Sequence, residues 1–409
     1  MFKFLNPRRL HDYPYLFLIA IIILLMVNII FHQGWLGGFG QLLGGDYVMF
    51  YATGLSYRTD INLIYNYSEQ YRIQESLVQP TQLLGYNPFM NPPYVAMAFS
   101  LLPLLPLEWS LVVWSIFSIL CCILSVYLFS RYLPLAAGIG MTFKHLLVLT
   151  ISFFPFIEGL QAGQNHAITL VLVTGILISA YHERWLLAGI LAGSLIYKPQ
   201  LVIGIIIVWV VWRNIKALVG FSSIVMLWAG SFVLLHGITP FLQYLETSHF
   251  LMLLPYQEGF PGYIITTLFG LLTSIMPTSM ARILQAVSYI FFILAGAAIT
   301  WVAYRQRKSP HSIQIPILAV AFIYPLALSP YVQYHDLLLI VPVFIAWAAN
   351  DHSQSVLKAA ILTYLGAFLL LLLSVLTGIA WVAMIPIGLF LAALYRIFPQ
   401  ISDIPMDPA

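Results

Sequence analysis

Residues 15–31 read YLFLIAIIILLMVNIIF, an apolar run without a single charged side chain. A helix needs about 20 predominantly apolar residues to cross the hydrocarbon layer of a bilayer, and this run approaches that length. Basic residues precede it, as in a secretory signal, but no small-x-small cleavage site follows in the Gly-rich stretch 34–45. We therefore expect an uncleaved first membrane span.

The same apolar character continues along the whole chain. Of its 409 residues, 61% are hydrophobic and 8% are charged, whereas soluble proteins carry about 25% charged residues. A soluble fold is excluded, and we predict an all-α integral membrane protein in which residues 1–409 form one transmembrane domain. The further apolar segments lie at 93–107, 109–130, 145–160, 165–181, 185–197, 199–212, 216–236, 263–276, 281–304, 312–329, 335–349, 356–376 and 378–398.

Two of these segments, 93–107 and 263–276, are short and are interrupted or stopped by proline. Treating both as re-entrant or interfacial places the basic joints of the chain on the cytoplasmic side, as the positive-inside tendency requires. About twelve transmembrane helices then remain, with both termini inside and the protein in the cell membrane. The polar, Gly/Pro-rich joints all face the extracytoplasmic side: 32–92, 161–165, 198–200, 237–262 and 329–336. Because binding chemistry tends to occupy loops on a rigid scaffold, their convergence predicts the functional face.

Charge and cysteine content argue against a nucleic-acid-binding protein and against a disulfide-linked fold. The net charge of +3 comes largely from short basic clusters at the joints, which set topology and do not form a nucleic-acid surface. Cys121 and Cys122 are adjacent within an apolar helix, where packing is expected and a disulfide framework is not.

The 32–92 loop contains an isolated carboxylate, Asp46, in GGDYVMFYATG. Its position after two glycines is typical of a helix N-cap, and it is equally suited to a general base at the membrane boundary. Position in the sequence does not decide between a helix cap and a general base. The rest of the loop, 58–92, is rich in Tyr, Asn and Gln and predicts interfacial amphipathic helices with solvated charges.

Three further groups of polar residues interrupt apolar sequence. Glu158, Gln161, Gln164, Asn165 and His166 cluster at a predicted helix break, where amides are costly unless they line a wet pocket.

Lys198 is the only charge between Trp185 and Trp212, and an anionic lipid phosphate would be its natural partner. His335 and Asp336 break a long uncharged stretch. The alternatives for His335 are a packed histidine at a helix start and a contact to phosphate. No helix-spaced ligand cluster supports a metal site.

The ordered set of motifs resembles a known family. GGDYVMFYATG at 44–54, LIYN at 63–66, NPPYVAMAFSLLPLLP at 91–106, GQN at 163–165, AGILAGSLIYKPQ at 188–200 and SPYVQYHD at 329–336 are similar to the polyprenol-phosphate-mannose-dependent mannosyltransferases of glycosyltransferase family 87. The resemblance covers roughly residues 40–340. It implies the membrane-embedded GT-C fold, a polytopic helical bundle whose first extracytoplasmic loop supplies an aspartate base.

The resemblance assigns roles to residues of this sequence. Asp46 matches the catalytic base, the Lys-Pro element matches Lys198 and Pro199, and the late Ser-Pro…His element matches Ser329, Pro330 and His335. Gln257 matches a family position only loosely. The candidate substrate- and donor-binding residues are Tyr51, Tyr65, Asn91, Glu158, Gln164, Asn165, Lys198, Gln257 and His335.

The function implied is transfer of a hexose, with mannose expected, from a polyprenyl-phosphate sugar to a lipid or glycan acceptor, with inversion, at the extracytoplasmic face. The lipid-linked donor acts as co-substrate, and no cofactor, metal or nucleic-acid partner is expected. Two alternatives remain open from the residues: a polytopic transporter or lipid flippase, and a non-catalytic assembly subunit.

Overall fold

The computed structural model describes residues 7–83, 85, 87–133, 142–257, 260–307, 311–348 and 354–402. These residues are almost entirely helical and, apart from isolated bridges, contain no β-strand. The α-helices, numbered in chain order, are α1 (Pro7–Ile30), α2 (Gly45–Thr59), α3 (Tyr67–Val78), α4 (Pro93–Phe99), α5 (Leu107–Tyr132), α6 (Phe143–Ser152), α7 (Phe154–Ala162), α8 (His166–Tyr181), α9 (Trp185–Ser194), α10 (Pro199–Val211), α11 (Ile215–His236), α12 (Thr239–Phe250), α13 (Leu268–Ile275), α14 (Ala281–Arg305), α15 (His311–Leu328), α16 (Ile340–Ala348), α17 (Gln354–Thr377) and α18 (Met384–Ser402).

Some of these helices are long and apolar enough to cross a membrane. Within the described residues there are 5 such helices: Asp12–Ile30, Leu107–Tyr132, Ile215–His236, Thr278–Arg305 and Val356–Thr377. Helices α6 and α7 form a further candidate that is bent by 58°. Further apolar helices have 10–17 residues and others are shorter still, so the number of twelve crossings stays a prediction.

The predicted apolar segment 145–160 forms two helices, α6 and α7, with a bend between them. Pro155 lies in the first turn of α7 and has no N–H to donate to the carbonyl of Ile151. Phe153, between the two helices, has an extended backbone with ψ of 114°. A straight helix would lose a hydrogen bond and bring the proline ring against the preceding turn.

Segments 93–107 and 263–276, which were expected not to cross the membrane, contain the short helices α4 and α13. Helix α4 has 7 residues and α13 has 8. At 1.5 Å per residue neither exceeds about 12 Å, well below the roughly 30 Å hydrocarbon layer. Neither helix alone can cross a bilayer.

Glycines allow several helices to pack backbone against backbone. A methyl group added at Gly189 of α9 would lie 2.0 Å from the carbonyl oxygen of Ala217 in α11. One added at Gly204 of α10 would lie 2.0 Å from the carbonyl oxygen of Ala321 in α15. Such close approach of small residues is a common means of helix association in membranes. It places the start of α10 beside the end of α15, where Gln200 Nε2 donates to the Tyr331 carbonyl over 3.4 Å.

The joints that carry the basic residues meet at one end of the bundle. The rings of Tyr132 and His182 lie 6.3 Å apart, and His182 Nε2 donates to the Tyr132 carbonyl at 3.0 Å. The rings of Trp185 and Trp212 lie 6.4 Å apart, and Trp212 Nε1 donates to the Ala303 carbonyl at 3.0 Å. The joints near Arg131, Arg184, Arg213 and Arg305 therefore share one end, as the positive-inside argument predicted.

The polar joints meet one another in turn. The hydroxyl of Tyr57 in α2 forms a hydrogen bond of 2.8 Å with His236 Nε2 at the end of α11. The rings of Tyr65 and Tyr244 lie 6.1 Å apart, joining the first loop to α12. Ile265 pairs with Gln333 in an isolated antiparallel bridge, which joins the start of α13 to the 329–336 joint. These polar joints therefore meet as predicted, and the side of the membrane that they face stays a prediction.

Candidate active site

Asp46 lies in the first turn of α2, immediately after a tight turn. Gly44, with φ of 64°, occupies the N-cap position, and no side chain caps the helix. The Gly44 N–H donates to the Gln161 carbonyl at 2.9 Å, which ties the start of α2 to the 161–165 joint. The carboxylate of Asp46 accepts hydrogen bonds from two side-chain amides, Asn87 Nδ2 and Gln164 Nε2, the second at 2.7 Å. The N-cap interpretation of Asp46 is therefore wrong.

The 161–165 joint is the predicted helix break. Helix α7 ends at Ala162, Gly163 takes φ of 71°, and α8 begins at His166. Trp114 Nε1 donates to the Gly163 carbonyl at 2.9 Å, and a methyl group at Gly163 would lie 2.5 Å from Tyr47 Cβ. Close packing of this turn against α2 brings Gln164 to Asp46.

Lys198 and Asp336 form a buried ion pair. Lys198 Nζ donates to Asp336 Oδ1 at 2.6 Å, and their side chains are only 9% and 4% exposed. The sequence predicted an anionic partner for Lys198, expected to be a phosphate. The structure shows that a carboxylate of the 329–336 joint already occupies that position. Removing either charge would leave the other buried without compensation, which is costly in a protein interior.

His335 lies between two carboxylates and is 2% exposed. Its Nδ1 is 3.5 Å from Glu158 Oε2, and its Nε2 is 3.8 Å from Asp336 Oδ2. Both distances exceed those of ordinary hydrogen bonds but fall within ion-pair range for a protonated ring. The His166 ring lies 6.1 Å from the His335 ring, and its Nε2 faces the Phe156 carbonyl at 3.1 Å. His335 is thus buried among charged groups, in contrast to a histidine packed by apolar neighbours.

Tyr331 lies near the cluster of Asp46, Glu158, Lys198, His335 and Asp336, and the charges of Asp46 and Asp336 both act on its hydroxyl. Burial raises the pKa of its hydroxyl, and the negative charges of Asp46 and Asp336 raise it further. The group therefore stays protonated near both carboxylates. Gln333 Nε2 donates to the Tyr331 oxygen. Tyr331 was not among the residues predicted from sequence, although it belongs to the SPYVQYHD motif.

Asp46 is partly buried, and the pKa of its carboxyl group is raised above the ordinary value of 3.8. Burial is the main cause, and the nearby negative charge of Glu158 adds to it. The charge of His335 and the hydrogen bonds from Gln164 and Asn87 oppose the shift without cancelling it. A carboxylate with a raised pKa is a better proton acceptor than an ordinary surface aspartate.

Three of the other predicted residues contact the cluster or the chain beside it. Asn165 is 3% exposed and follows Gln164, whose side-chain oxygen accepts from the Asn165 N–H at 3.1 Å. Asn91 Nδ2 donates to the Tyr197 carbonyl at 3.0 Å, directly before Lys198. Tyr65 donates its hydroxyl to the Asn91 carbonyl at 2.7 Å. Tyr65 and Asn91 thus hold the first loop against the chain that precedes Lys198.

Two of the predicted substrate- and donor-binding residues, Tyr51 and Gln257, lie away from the cluster. Tyr51 donates its hydroxyl to the Leu105 carbonyl at 3.0 Å and packs its ring near Tyr47. Gln257 is exposed in the turn after the 3-10 helix Leu251–Tyr256, and no hydrogen bond among the described residues joins it to Asp46. The structure brings neither side chain into the cluster.

The sequence analysis also missed Asn87. This residue lies in GYNPFMNPPY at 85–94, and the loop of which it is part was expected to form interfacial amphipathic helices. Its side chain reaches Asp46, 41 positions earlier in the chain. Within the described residues, no three His, Cys, Asp or Glu side chains are grouped as a metal ion would require.

The fold and this cluster define a polytopic helical membrane protein with a candidate active site where its polar joints meet. The family model of glycosyltransferase family 87 matches residues 89–330, more than half of the chain, and the chain belongs to that family. It is accordingly a glycosyltransferase. No curated protein matches the chain. The matched region includes Glu158, Gln164 and Lys198, whereas Asp46 and His335 lie outside it.

Proposed function

We propose that this glycosyltransferase moves a hexose, with mannose as the expected sugar, from a polyprenyl-phosphate donor to a hydroxyl group of a lipid or glycan acceptor. The observation that carries the proposal is the position of Asp46. Its carboxylate is oriented by two amides and lies at the same polar end as Lys198 and His335. No contact among the described residues favours the transporter alternative.

The proposed step is a single displacement. Asp46 removes the proton of the acceptor hydroxyl, whose oxygen forms a bond to the anomeric carbon of the donor sugar. The bond from that carbon to the phosphate oxygen breaks, and the electron pair leaves with the polyprenyl phosphate. Attack from the opposite face inverts the configuration, so a β-linked donor gives an α-linked product. No metal or cofactor is part of this proposal.

Negative charge develops on the leaving phosphate, and the Lys198 ammonium group and the His335 ring would stabilise it. Lys198 has three N–H donors, and the bond to Asp336 uses one of them. The phosphate would share Lys198 with Asp336 and contact His335. Groups that are preorganised toward developing charge contribute a few kcal/mol to catalysis. Glu158 Oε2 is buried without a hydrogen-bond partner and would accept from a sugar hydroxyl.

A reconstituted assay tests the proposal. Purified protein in liposomes is given labelled polyprenyl-phosphate mannose, polyprenyl-phosphate glucose or a nucleotide-linked mannose, together with a membrane-lipid acceptor extract. We expect transfer only from a polyprenyl-phosphate sugar, with polyprenyl phosphate released in equal amount and an α-linkage in the product. Transfer from the nucleotide sugar, or a β-linkage from a β-linked donor, would contradict it. Uptake of label into the liposomes without transfer would support the transporter.

We further propose that residues 1–409 form one domain with about twelve crossings, with the cluster on the extracytoplasmic side of the cell membrane. Ser76 of α3 and Arg307 after α14 are both exposed and lie near opposite ends of this arrangement. In intact cells, Ser76→Cys should react with a membrane-impermeant thiol reagent and Arg307→Cys should not. The native cysteines, Cys121 and Cys122, are buried and serve as the background control. Labelling of Arg307→Cys alone would reverse the orientation.

The raised pKa of Asp46 predicts how transfer depends on pH. A general base must be deprotonated, so the rate falls as the pH falls through the pKa of Asp46, above the ordinary 3.8. Helix α2 lies in the first loop, outside the candidate spans. The donor is a phosphodiester and stays ionised over this range. In the pH profile of kcat/KM, the fall on the acid side should give an apparent pKa above 3.8. An apparent pKa at or below 3.8 would contradict the burial of the base.

A further inference from the structure

We propose that Gln74 is a positioning residue for the base, acting through Asn87 to orient the Asp46 carboxylate. This inference rests on the proposed role of Asp46. It assigns a catalytic purpose to α3, the amphipathic helix of the first loop that was predicted only to lie on the membrane.

Helix α3 buries an unusual face. Gln70, Gln74 and Val78 are spaced one turn apart and are 1%, 2% and 0% exposed. The opposite face carries an ion pair of the exposed Arg72 with the half-buried Glu69, whose charged atoms are 2.8 Å apart. A glutamine amide costs free energy in an interior unless its groups are hydrogen-bonded, so an apolar residue would suit a purely packing role better.

The Gln74 amide is bonded on both sides to one residue. Its Nε2 donates to the Asn87 carbonyl at 2.9 Å, and its Oε1 accepts from the Asn87 N–H at 3.2 Å. Glutamine carries one donor group and one acceptor on the same planar amide, so it pairs with a peptide backbone as a neighbouring strand would. Asn87 precedes Pro88, which already restricts it to extended conformations. Both backbone polar groups of Asn87 are thereby fixed.

With the backbone of Asn87 fixed, its side chain is directed at the base. Asn87 Nδ2 donates to Asp46 Oδ1, while Gln164 Nε2 donates to Oδ2 at 2.7 Å. The two amides approach different oxygens of the carboxylate and set its plane. Each carboxylate oxygen keeps a further lone pair, which can take up the proton of the substrate hydroxyl. The chain of contacts runs from Gln74 through Asn87 to the reacting atoms, and Gln74 itself does not touch Asp46.

Gln70 supplies a matched control. It lies one turn earlier on the same buried face, and its Nε2 donates to Ser56 Oγ at 2.7 Å and to the Leu63 carbonyl at 2.9 Å. Those contacts hold α3 against α2 without reaching Asn87. Gln70→Leu and Gln74→Leu are therefore the same chemical change at equally buried positions, and only the second interrupts the chain to Asp46.

The test compares pH profiles of kcat/KM and melting temperatures. Gln74→Leu should lower kcat/KM by about tenfold, on the scale of a hydrogen bond to a charged group. It should also move the acid limb to higher pH, because the Asn87 hydrogen bond favours the charged carboxylate. Asn87→Ala should reproduce both effects, and the double variant should add little to Asn87→Ala. Gln70→Leu should lower the melting temperature without moving the limb.

Contrary outcomes separate this inference from the proposed function. If Gln74→Leu does not fold, Gln74→Asn, which keeps the amide but is one carbon too short, decides by the same criterion. An unmoved acid limb in a folded Gln74 variant, with Asp46→Asn inactive, would overturn the inference alone. Full transfer by Asp46→Asn would overturn the base and the inference together.

Discussion

Asp46→Asn is expected to lower transfer by about 10²-fold or more, the usual contribution of a positioned general base. Asparagine keeps the size of aspartate but cannot accept a proton from the acceptor hydroxyl. In the structure it would also present an NH₂ group to one of two amide donors, Asn87 or Gln164, so one hydrogen bond would be lost. We expect a modest fall in melting temperature and little change in donor binding.

The measurement is single-turnover transfer of labelled sugar, with the melting temperature and donor affinity determined on the same preparations. Asp60→Asn is the matched control: Asp60 is exposed at the end of α2, and its side chain accepts from the backbone N–H and the Nδ2 of Asn62 in the following turn, at 2.9 and 3.0 Å. Substantial transfer by Asp46→Asn would show that another group is the base. Glu158, whose buried Oε2 has no hydrogen-bond partner and lies 3.5 Å from His335 Nδ1, would then be the next candidate.

Pattern and polarity predicted much of the fold. Composition indicated a helical membrane protein, and the family match supports the glycosyltransferase class. The break at 161–165 was visible because amides and glycine interrupt an apolar run, where helix in lipid would leave them unsatisfied. The meeting of the polar joints followed from the placement of basic residues at the opposite ends of the same helices.

The partners of individual side chains could not be derived in the same way. Lys198 had several carboxylates available at the polar end, among them Asp46, Glu158 and Asp336, and only the approach of α10 to α15 selects Asp336. Tyr51 is a residue type that often contacts sugars, but its hydroxyl donates a hydrogen bond to the Leu105 backbone carbonyl. Such pairings depend on the distance between helix ends, which sequence periodicity does not encode.

The Lys198–Asp336 pair gives the second large effect. Removing one partner of a buried ion pair typically costs about 3–5 kcal/mol, because the remaining charge is left uncompensated. Lys198→Met and Asp336→Leu should therefore each lower the melting temperature strongly. The double variant should recover most of that loss, since apolar residues of similar volume often replace a buried pair without penalty. Lys216→Met, at an exposed lysine at the start of α11, is the control for loss of a positive charge.

The double variant also separates two roles of Lys198. If Lys198 contacts the donor phosphate as proposed, the folded double variant should still show a raised apparent KM for the polyprenyl-phosphate sugar, with acceptor use less affected. The loss of donor affinity in Lys198→Met would then not be a consequence of instability. A double variant that regains both the melting temperature and the wild-type donor KM would assign Lys198 to holding α10 against the 329–336 joint, and the phosphate would have to be bound by His335 and its neighbours.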